Sequence, residues 1–430
     1  MRKYTNFIFK DYLFNRDLKT LELFYSFDNI LNFKESFVFD FPFSNYDNQI
    51  LDQALFNLFL MAGISYFKAY PVDHVVITKK GLTKKESEFF ERTYRKGLGE
   101  YFYMNKLDPS NPISFGGELP KKISLNYSGD GLMIGLGGGK DSLVVVEALK
   151  ASDKKIKTWS LGHNELLKPL VNRVGLEHCF IQRTIDPLLF ELNAKGALNG
   201  HVPISAILSC VGVVVTILNG YSDVVVGNEA SASENNLKYK DVLINHQYSK
   251  SIQYEKDFQE LLKLDFGIGL RYYSFLRPLS ELRIGEIFAK KYFDKYKAFF
   301  SSCNRSYVHG NNHLFWCGEC PKCAFMFLIL TPFIDKHKLA SLWKGKNLLE
   351  DQNLIPTYKE LLGIAGHKPL DCVGEIREAR LAMDLAFKKY PNLKNIYKFD
   401  LDPFYDYMKI GPDLMPEDIH QFFLDYVSNV

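Results

Sequence analysis

Apolar positions along the chain follow two periods, and the period changes from one stretch to the next. Short aromatic and aliphatic runs at 21–27 (LELFYSF), 37–41 and 72–78 predict strands, whereas 50–67 places Leu51, Leu55, Leu58 and Phe59 at helical spacing. From about residue 126 the two patterns alternate. Strand-length runs fall at 132–136, 156–161, around Phe180 and Ile181, and at 223–226; helical stretches open at Asp141, cover 166–174, recur near Leu188 and fill 202–218. Such alternation predicts a parallel sheet with helices on both faces. Residues 108–120 concentrate Pro, Gly, Ser and Asn and predict a linker. Beyond Pro332 the chain turns helical and charged, with amphipathic candidates at 339–362 and 374–389. The expected organisation is an N-terminal α+β domain over 1–125, an α/β domain over 126–333 and a helical C-terminal region over 334–430.

Composition narrows this little. A length of 430 residues suffices for two or three domains. A net charge of +3, from 53 basic and 50 acidic residues, gives no electrostatic reason to expect nucleic acid or a membrane as a partner. Aromatics reach 15%, with 35 Phe and 25 Tyr, but they are spread along the whole chain and read as core. The opening MRKYTNFIFKDYLF breaks every apolar run with charge and lacks a small-residue cleavage site, so it does not read as a secretory signal. Residues 202–218 are the most membrane-like, yet they fall short of the ~20 residues of a span and contain Pro203, Ser205, Ser209, Gly212 and Thr216. A buried helix is expected there. Seven cysteines without a signal point to a reducing cytoplasm, where clustered thiols more often bind metal than pair.

Residues 131–150, GLMIGLGGGKDSLVVVEALK, compress a buried strand, a glycine turn and a helix start into one segment. Free N–H groups and the positive end of the helix dipole make such a turn an anion site. A Walker loop is excluded because Ile134 and Asp141 stand where it needs glycine and Ser/Thr; the dinucleotide fingerprint fails because its third position falls on Lys140. What remains, Gly137-Gly138-Gly139-Lys140-Asp141-Ser142, resembles the PP-loop SGGxDS of ATP pyrophosphatases and thus an adenine nucleotide alpha hydrolase-like core. Its leading serine is replaced by Gly137, which removes one hydroxyl donor. A carboxylate beside a triphosphate is repulsive unless a divalent cation lies between, so Asp141 points to Mg²⁺. Asp141 also suits an ordinary helix start, the bland alternative.

In parallel sheets ligands sit beyond the carboxyl ends of strands, which makes Asn228 and Glu229, after the strand at 223–226, candidate nucleotide contacts; a simple turn is the alternative. Arg277 and Lys250 are candidates for an anionic substrate, Arg277 because a guanidinium binds carboxylate bidentately, although either residue could instead serve a structural ion pair. Cys317, Cys320 and Cys323 supply three thiols in seven residues, with Cys303 upstream. Four cysteines suit a structural tetrahedral Zn²⁺; an iron–sulfur cluster and unliganded buried thiols remain alternatives. Cys179 and Cys210 read as core.

Together LELFYSFD, MAGISYFKA, YRKGLGEYFYMN, GLGGGKDSLVVVE, GHVPISAI, GNEASASENN, HQYSKS, LRPLSE, SCN, WCGECPKCAF and KPLDCVGE resemble the UDP-N-acetylmuramoyl-L-alanyl-L-glutamate epimerase (MurL) family over nearly the whole chain. The resemblance implies ATP- and Mg²⁺-dependent inversion of the terminal L-glutamate of UDP-MurNAc-L-Ala-L-Glu for peptidoglycan. It supplies no catalytic base. A proton carrier needs a tuned pKa and reach to the substrate, which leaves Cys372, Lys368, His246 and His201 as candidates. Two other classes share the loop: zinc-containing PP-loop ligases acting on a deazaguanine precursor or a tRNA base, and a nucleotide sensor without turnover.

Overall fold

The computed structural model describes residues 4–116, 119, 125–308, 311 and 313–430. Gly117, Glu118 and Pro120 of the expected linker, and the opening Met1, Arg2 and Lys3, lie outside the described residues. The strands are β1 (Asn6–Asn15), β2 (Thr20–Phe27), β3 (Leu31–Asp40), β4 (His74–Ile77), β5 (Leu132–Gly135), β6 (Ile156–Leu161), β7 (His178–Thr184), β8 (Asp223–Val226), the small hairpin β9 (Leu237–Tyr239) and β10 (Val242–Ile244), and β11 (Arg271–Ser274).

Among the described residues, nine of these strands form one sheet in the order β11-β8-β5-β6-β7-β3-β2-β1-β4. Strands β11, β8, β5, β6 and β7 run parallel to one another. On the far side of β7 the direction reverses: β3 pairs antiparallel with it, setting Phe39 opposite Ile181. The sheet therefore runs without interruption across residue 125, and strands from the N-terminal stretch extend the α/β sheet.

Both faces of the parallel block are covered, which is why its strands read as unbroken apolar runs. Leu132 and Ile134 of β5 pack with the helix Lys140–Leu149, while Met133 between them joins the core built on the helices Ile204–Asn219 and Asn48–Ala62. The aromatic residues do fill core. Tyr25 stacks on Phe59 at 5.3 Å between ring centroids and donates its hydroxyl to the Phe59 carbonyl at 3.0 Å. The helical run Asn48–Phe67 is long and apolar enough to cross a membrane, but 89% of that window is buried inside the protein. Residues Ile204–Asn219 form a buried core helix, as their interrupted hydropathy predicts.

One strand is added to the expected elements, and one expected helix changes. Strand β1 escapes the period-two pattern because a bulge between Phe9 and Asp11 shifts its register. The single helix expected over 339–362 is instead a chain of short turns ending in the helix Ile355–Leu361; Lys344 and Gly345 adopt φ of 56° and 84°, and Asn347 and Asp351 cap new turns. The C-terminal helix Glu417–Ser428 returns to the sheet edge, where Phe423 meets Phe275 and Asp418 meets Lys154 at 2.8 Å.

Candidate active site

The chain leaves β5 toward β6 and β7 on one side and returns to β8 and β11 on the other, so the topological switch lies beside β5. The segments after β5, β8 and β11 accordingly meet. The glycine turn follows β5. Gly138 has φ of +86°, and a Cβ there would sit 2.3 Å from the Tyr307 hydroxyl, so this position requires glycine. Gly137 differs, because a Cβ there would have nothing within 4 Å. Gly139 precedes the helix Lys140–Leu149 without a side-chain cap, leaving first-turn N–H groups for another acceptor. The Ser142 hydroxyl donates to the Gly139 carbonyl at 3.0 Å.

Asp141 after β5, Glu229 after β8 and Glu281 after β11 each bring a carboxylate oxygen within 4.8 Å of the other two. Buried Lys140 lies 2.5 Å from Asp141 and also pairs with Glu281. Burial lifts the Glu281 pKa well above the carboxylate range; Lys140 opposes the rise, and the negative neighbours Asp141 and Glu229 add to it. Lys140 itself is raised, because the attraction of Asp141 and Glu281 outweighs the burial that would lower it. Three carboxylates against one ammonium in this cluster make a donor set suited to a hard divalent cation. Glu281 carries no sequence assignment above, yet it is a strand-end acid like Glu229.

A thiol site adjoins this cluster. The Lys250 ammonium lies 3.6 Å from the Cys372 sulfur, and its pKa is raised: burial lowers it, but Cys372, Glu229, Asp141 and Glu281 together more than offset that. The Cys372 sulfur also lies within 4.8 Å of a ring nitrogen of His246, whose Nδ1 is bonded to Glu100. His201 stacks near His246 at 4.4 Å between ring centroids and lies 3.9 Å from Glu100. Burial raises the Cys372 thiol, but the Lys250 charge, the His246 hydrogen bond and the Lys322 charge bring it down to about 7. Burial lowers His246, yet Cys372 and Glu100 raise it to about 9. Burial and the neighbouring His246 push His201 down to about 4.

The other predicted residues have different partners. Arg277 is 2% exposed and its guanidinium is fully engaged: Nε and Nη2 donate to Glu255 at 3.0 and 2.9 Å, Nη1 donates to the Glu229 carbonyl at 2.6 Å, and Nη2 also reaches the Lys250 carbonyl. These contacts match the alternative of a structural ion pair, with Arg277 bracing the Glu229 and Lys250 backbones. Lys368 ends in an ion pair with Glu234. The Asn228 carbonyl accepts the Ser274 hydroxyl at 2.6 Å, tying the end of β8 to that of β11.

Cys303, Cys317, Cys320 and Cys323 bring their sulfurs within 4.8 Å of one another, with Cys303–Cys320 at 3.8 Å and Cys317–Cys323 at 3.7 Å. These are no disulfides, whose bonds are about 2.05 Å. Tetrahedral coordination with zinc–sulfur bonds of about 2.3 Å has sulfur–sulfur edges of about 3.8 Å, so the thiols fit a single ion. Gly318 and Glu319 N–H groups donate to Cys323 and Cys317 sulfurs at 3.3 and 3.4 Å, as thiolate ligands require. Neighbouring residues brace the sites. Tyr307 and Ser301 bond to the glycine turn, and Asn304 and Lys322 lie 3.3 and 3.8 Å from Asp371, beside Cys372.

Ionisable groups gathered at the ends of adjacent parallel strands place this protein among the α/β enzymes. Residues 1–275 match the MurL N-terminal domain and residues 299–395 the MurL C-terminal domain, and the chain belongs to that family. It is similar to the UDP-N-acetyl-alpha-D-muramoyl-L-alanyl-L-glutamate epimerase of Xanthomonas oryzae, 40% identical over 340 residues (77% of this chain, 74% of the relative). It is likewise similar to the proteins of that name from Micromonospora, 37% identical over 338 residues (78% and 75%), and Salinispora tropica, 35% identical over 399 (90% and 85%).

Proposed function

We propose that this protein is a cytoplasmic epimerase that uses ATP to invert the terminal L-glutamate of UDP-MurNAc-L-Ala-L-Glu during peptidoglycan precursor synthesis, on a PP-loop-like core. The three similar epimerases carry the substrate in their names. The observation that carries the rest is the meeting of Asp141, Glu229 and Glu281 beside an uncapped helix start, with Lys250 coupled electrostatically both to these acids and to Cys372. An anion cradle, a cation site and a thiol thus adjoin one another.

The chemistry explains why such a reaction consumes ATP. A free α-carboxylate resists loss of the adjacent Cα proton, because a second negative charge would develop beside the first. Transfer of AMP to the carboxylate, with release of pyrophosphate, removes that obstacle. The N–H groups from Gly137 to Ser142 bind the phosphates, and Asp141, Glu229 and Glu281 would hold Mg²⁺, which offsets phosphate charge. Lys250 attracts the substrate carboxylate. A Zn²⁺ on the four cysteines would be structural and supply no chemistry to the substrate.

The test is incubation with ATP, Mg²⁺ and UDP-MurNAc-L-Ala-L-Glu, followed by assay of AMP and of glutamate chirality after acid hydrolysis. D-glutamate formed with AMP is the expected result. AMP without D-glutamate would move the substrate elsewhere, and absence of both from folded, metal-loaded protein would end the reading.

A further inference from the structure

Glu100, His246 and Cys372 come from widely separated parts of the chain and meet in one group: Glu100 is hydrogen-bonded to His246, a ring nitrogen of His246 lies within 4.8 Å of the Cys372 sulfur, and that half-buried thiol stands next to Lys250. Glu100 occupies His246 Nδ1, which leaves Nε2 as the ring nitrogen free of that bond. A carboxylate behind an imidazole fixes its orientation and favours its protonated form. We propose that Cys372 is the base that removes the substrate's Cα proton, with His246 and Glu100 as its positioning residues. The inference rests on the epimerase reading and adds to it the group that moves the proton.

Three features single out Cys372 among the thiols. It is the one that adjoins the Asp141, Glu229 and Glu281 cluster through Lys250, so a carboxylate activated beside those acids presents its Cα toward the sulfur. Its neighbours are cationic: His246 and Lys250 touch it, and Lys322 acts from farther away, with Asp371 the adjoining acid. The remaining thiols outside the metal cluster behave oppositely, for burial raises Cys179 to about 11, against the lowering effect of Lys157, and Cys210 higher still. The cations around Cys372 therefore favour its thiolate. On the other side of His246 stand Glu100 and His201, with Lys68 beyond.

In the step, the sulfur lone pair takes the Cα hydrogen as a proton; an S–H bond forms as the C–H bond breaks, and the bonding pair moves onto the acyl oxygen beside Lys250. A proton from water then reaches the opposite face of Cα and the pair returns to carbon. The thiol gives its proton up to solvent, where it neutralises the hydroxide left by that water, and the thiolate is restored. Hydrolysis of the mixed anhydride gives D-glutamate and AMP.

Cys372→Ala in the full-length, metal-loaded protein should lower D-glutamate formation by about 10²–10⁴-fold while AMP is still released, because the anhydride still forms and hydrolyses with the L configuration retained. In D₂O the wild-type D-glutamate should carry deuterium at Cα. Wild-type D-glutamate yield from Cys372→Ala would overturn the proposal; so would loss of AMP together with D-glutamate, or an acyl thioester trapped on Cys372, which would make the sulfur a nucleophile. Absence of AMP and D-glutamate from the wild type refutes the epimerase reading instead. Glu100→Gln separates positioning from folding: its rate should recover as pH rises, since the acid limb moves up from about 7. A profile scaled down without moving removes Glu100 from the proposal.

Discussion

Tyr307 holds its phenolic oxygen 2.9 Å from the Gly137 carbonyl and 2.8 Å from that of Ser301. The Ser301 N–H in turn donates to the Gly138 carbonyl at 3.0 Å. The glycine turn is thereby clasped by the segment that carries Cys303, so the cysteine cluster and the anion cradle form one mechanical unit.

Removing metal with a chelator, or Cys303→Ser, should consequently weaken ATP binding as well as lower Tm. Elemental analysis with ATP titration checks this. ATP affinity unchanged after complete metal loss would show the two sites to be uncoupled.

The two neighbouring glycines should respond in opposite directions. Gly138→Ala strains a positive φ and strikes Tyr307, at a cost of about 1–3 kcal/mol, and should weaken ATP binding about tenfold or more. Gly137→Ser has room for its side chain and adds a hydroxyl donor of about 1 kcal/mol, so ATP should bind about fivefold tighter. Calorimetric titration of both variants decides the matter.

Arg277→Met removes one partner from the buried pair with Glu255 and frees the Glu229 and Lys250 carbonyls. Stability should fall by about 3–5 kcal/mol, measured by denaturant unfolding. Arg277→Lys should recover little, because an ammonium cannot reproduce the planar fork. A merely exposed substrate ligand would leave stability untouched.

Alkylation of Cys372 by iodoacetamide should follow the thiolate. Because its pKa is lowered to about 7, the rate should rise through pH 7 and level off above it, rather than climbing through 9. His246→Gln removes a donor to the sulfur and should shift the midpoint upward. Mass spectrometry of the peptide carrying Cys372 provides the readout.

The parallel block was legible because strands buried on both faces leave short apolar runs, and 156–161 and 223–226 match β6 and β8 residue for residue. Strand β1 was hidden by its bulge, and the joining of β3 to β7 leaves no local mark, since a backbone ladder between distant strands has no period of its own. The same divide holds in the site. Gly138, Asp141 and the four cysteines announce themselves by spacing, and Cys372 and His246 by residue type. Glu281 could have been found as a third strand-end acid. Glu100 could not, because its role arises from a tertiary contact with His246. For Arg277 the sequence left substrate ligand and structural ion pair open, because it shows a cation's presence but not whether its donors are already engaged.

The uninterrupted sheet bears on more than shape. Glu100 precedes the glycine turn, His246 follows it and Cys372 lies in the C-terminal region, so their side chains come together only once all three stretches have folded. The continuous ladder from β7 through β3 makes the N-terminal stretch and the parallel block one folding unit, so a truncation that removes the first strands should cost the contact between Glu100 and His246 as well as the sheet.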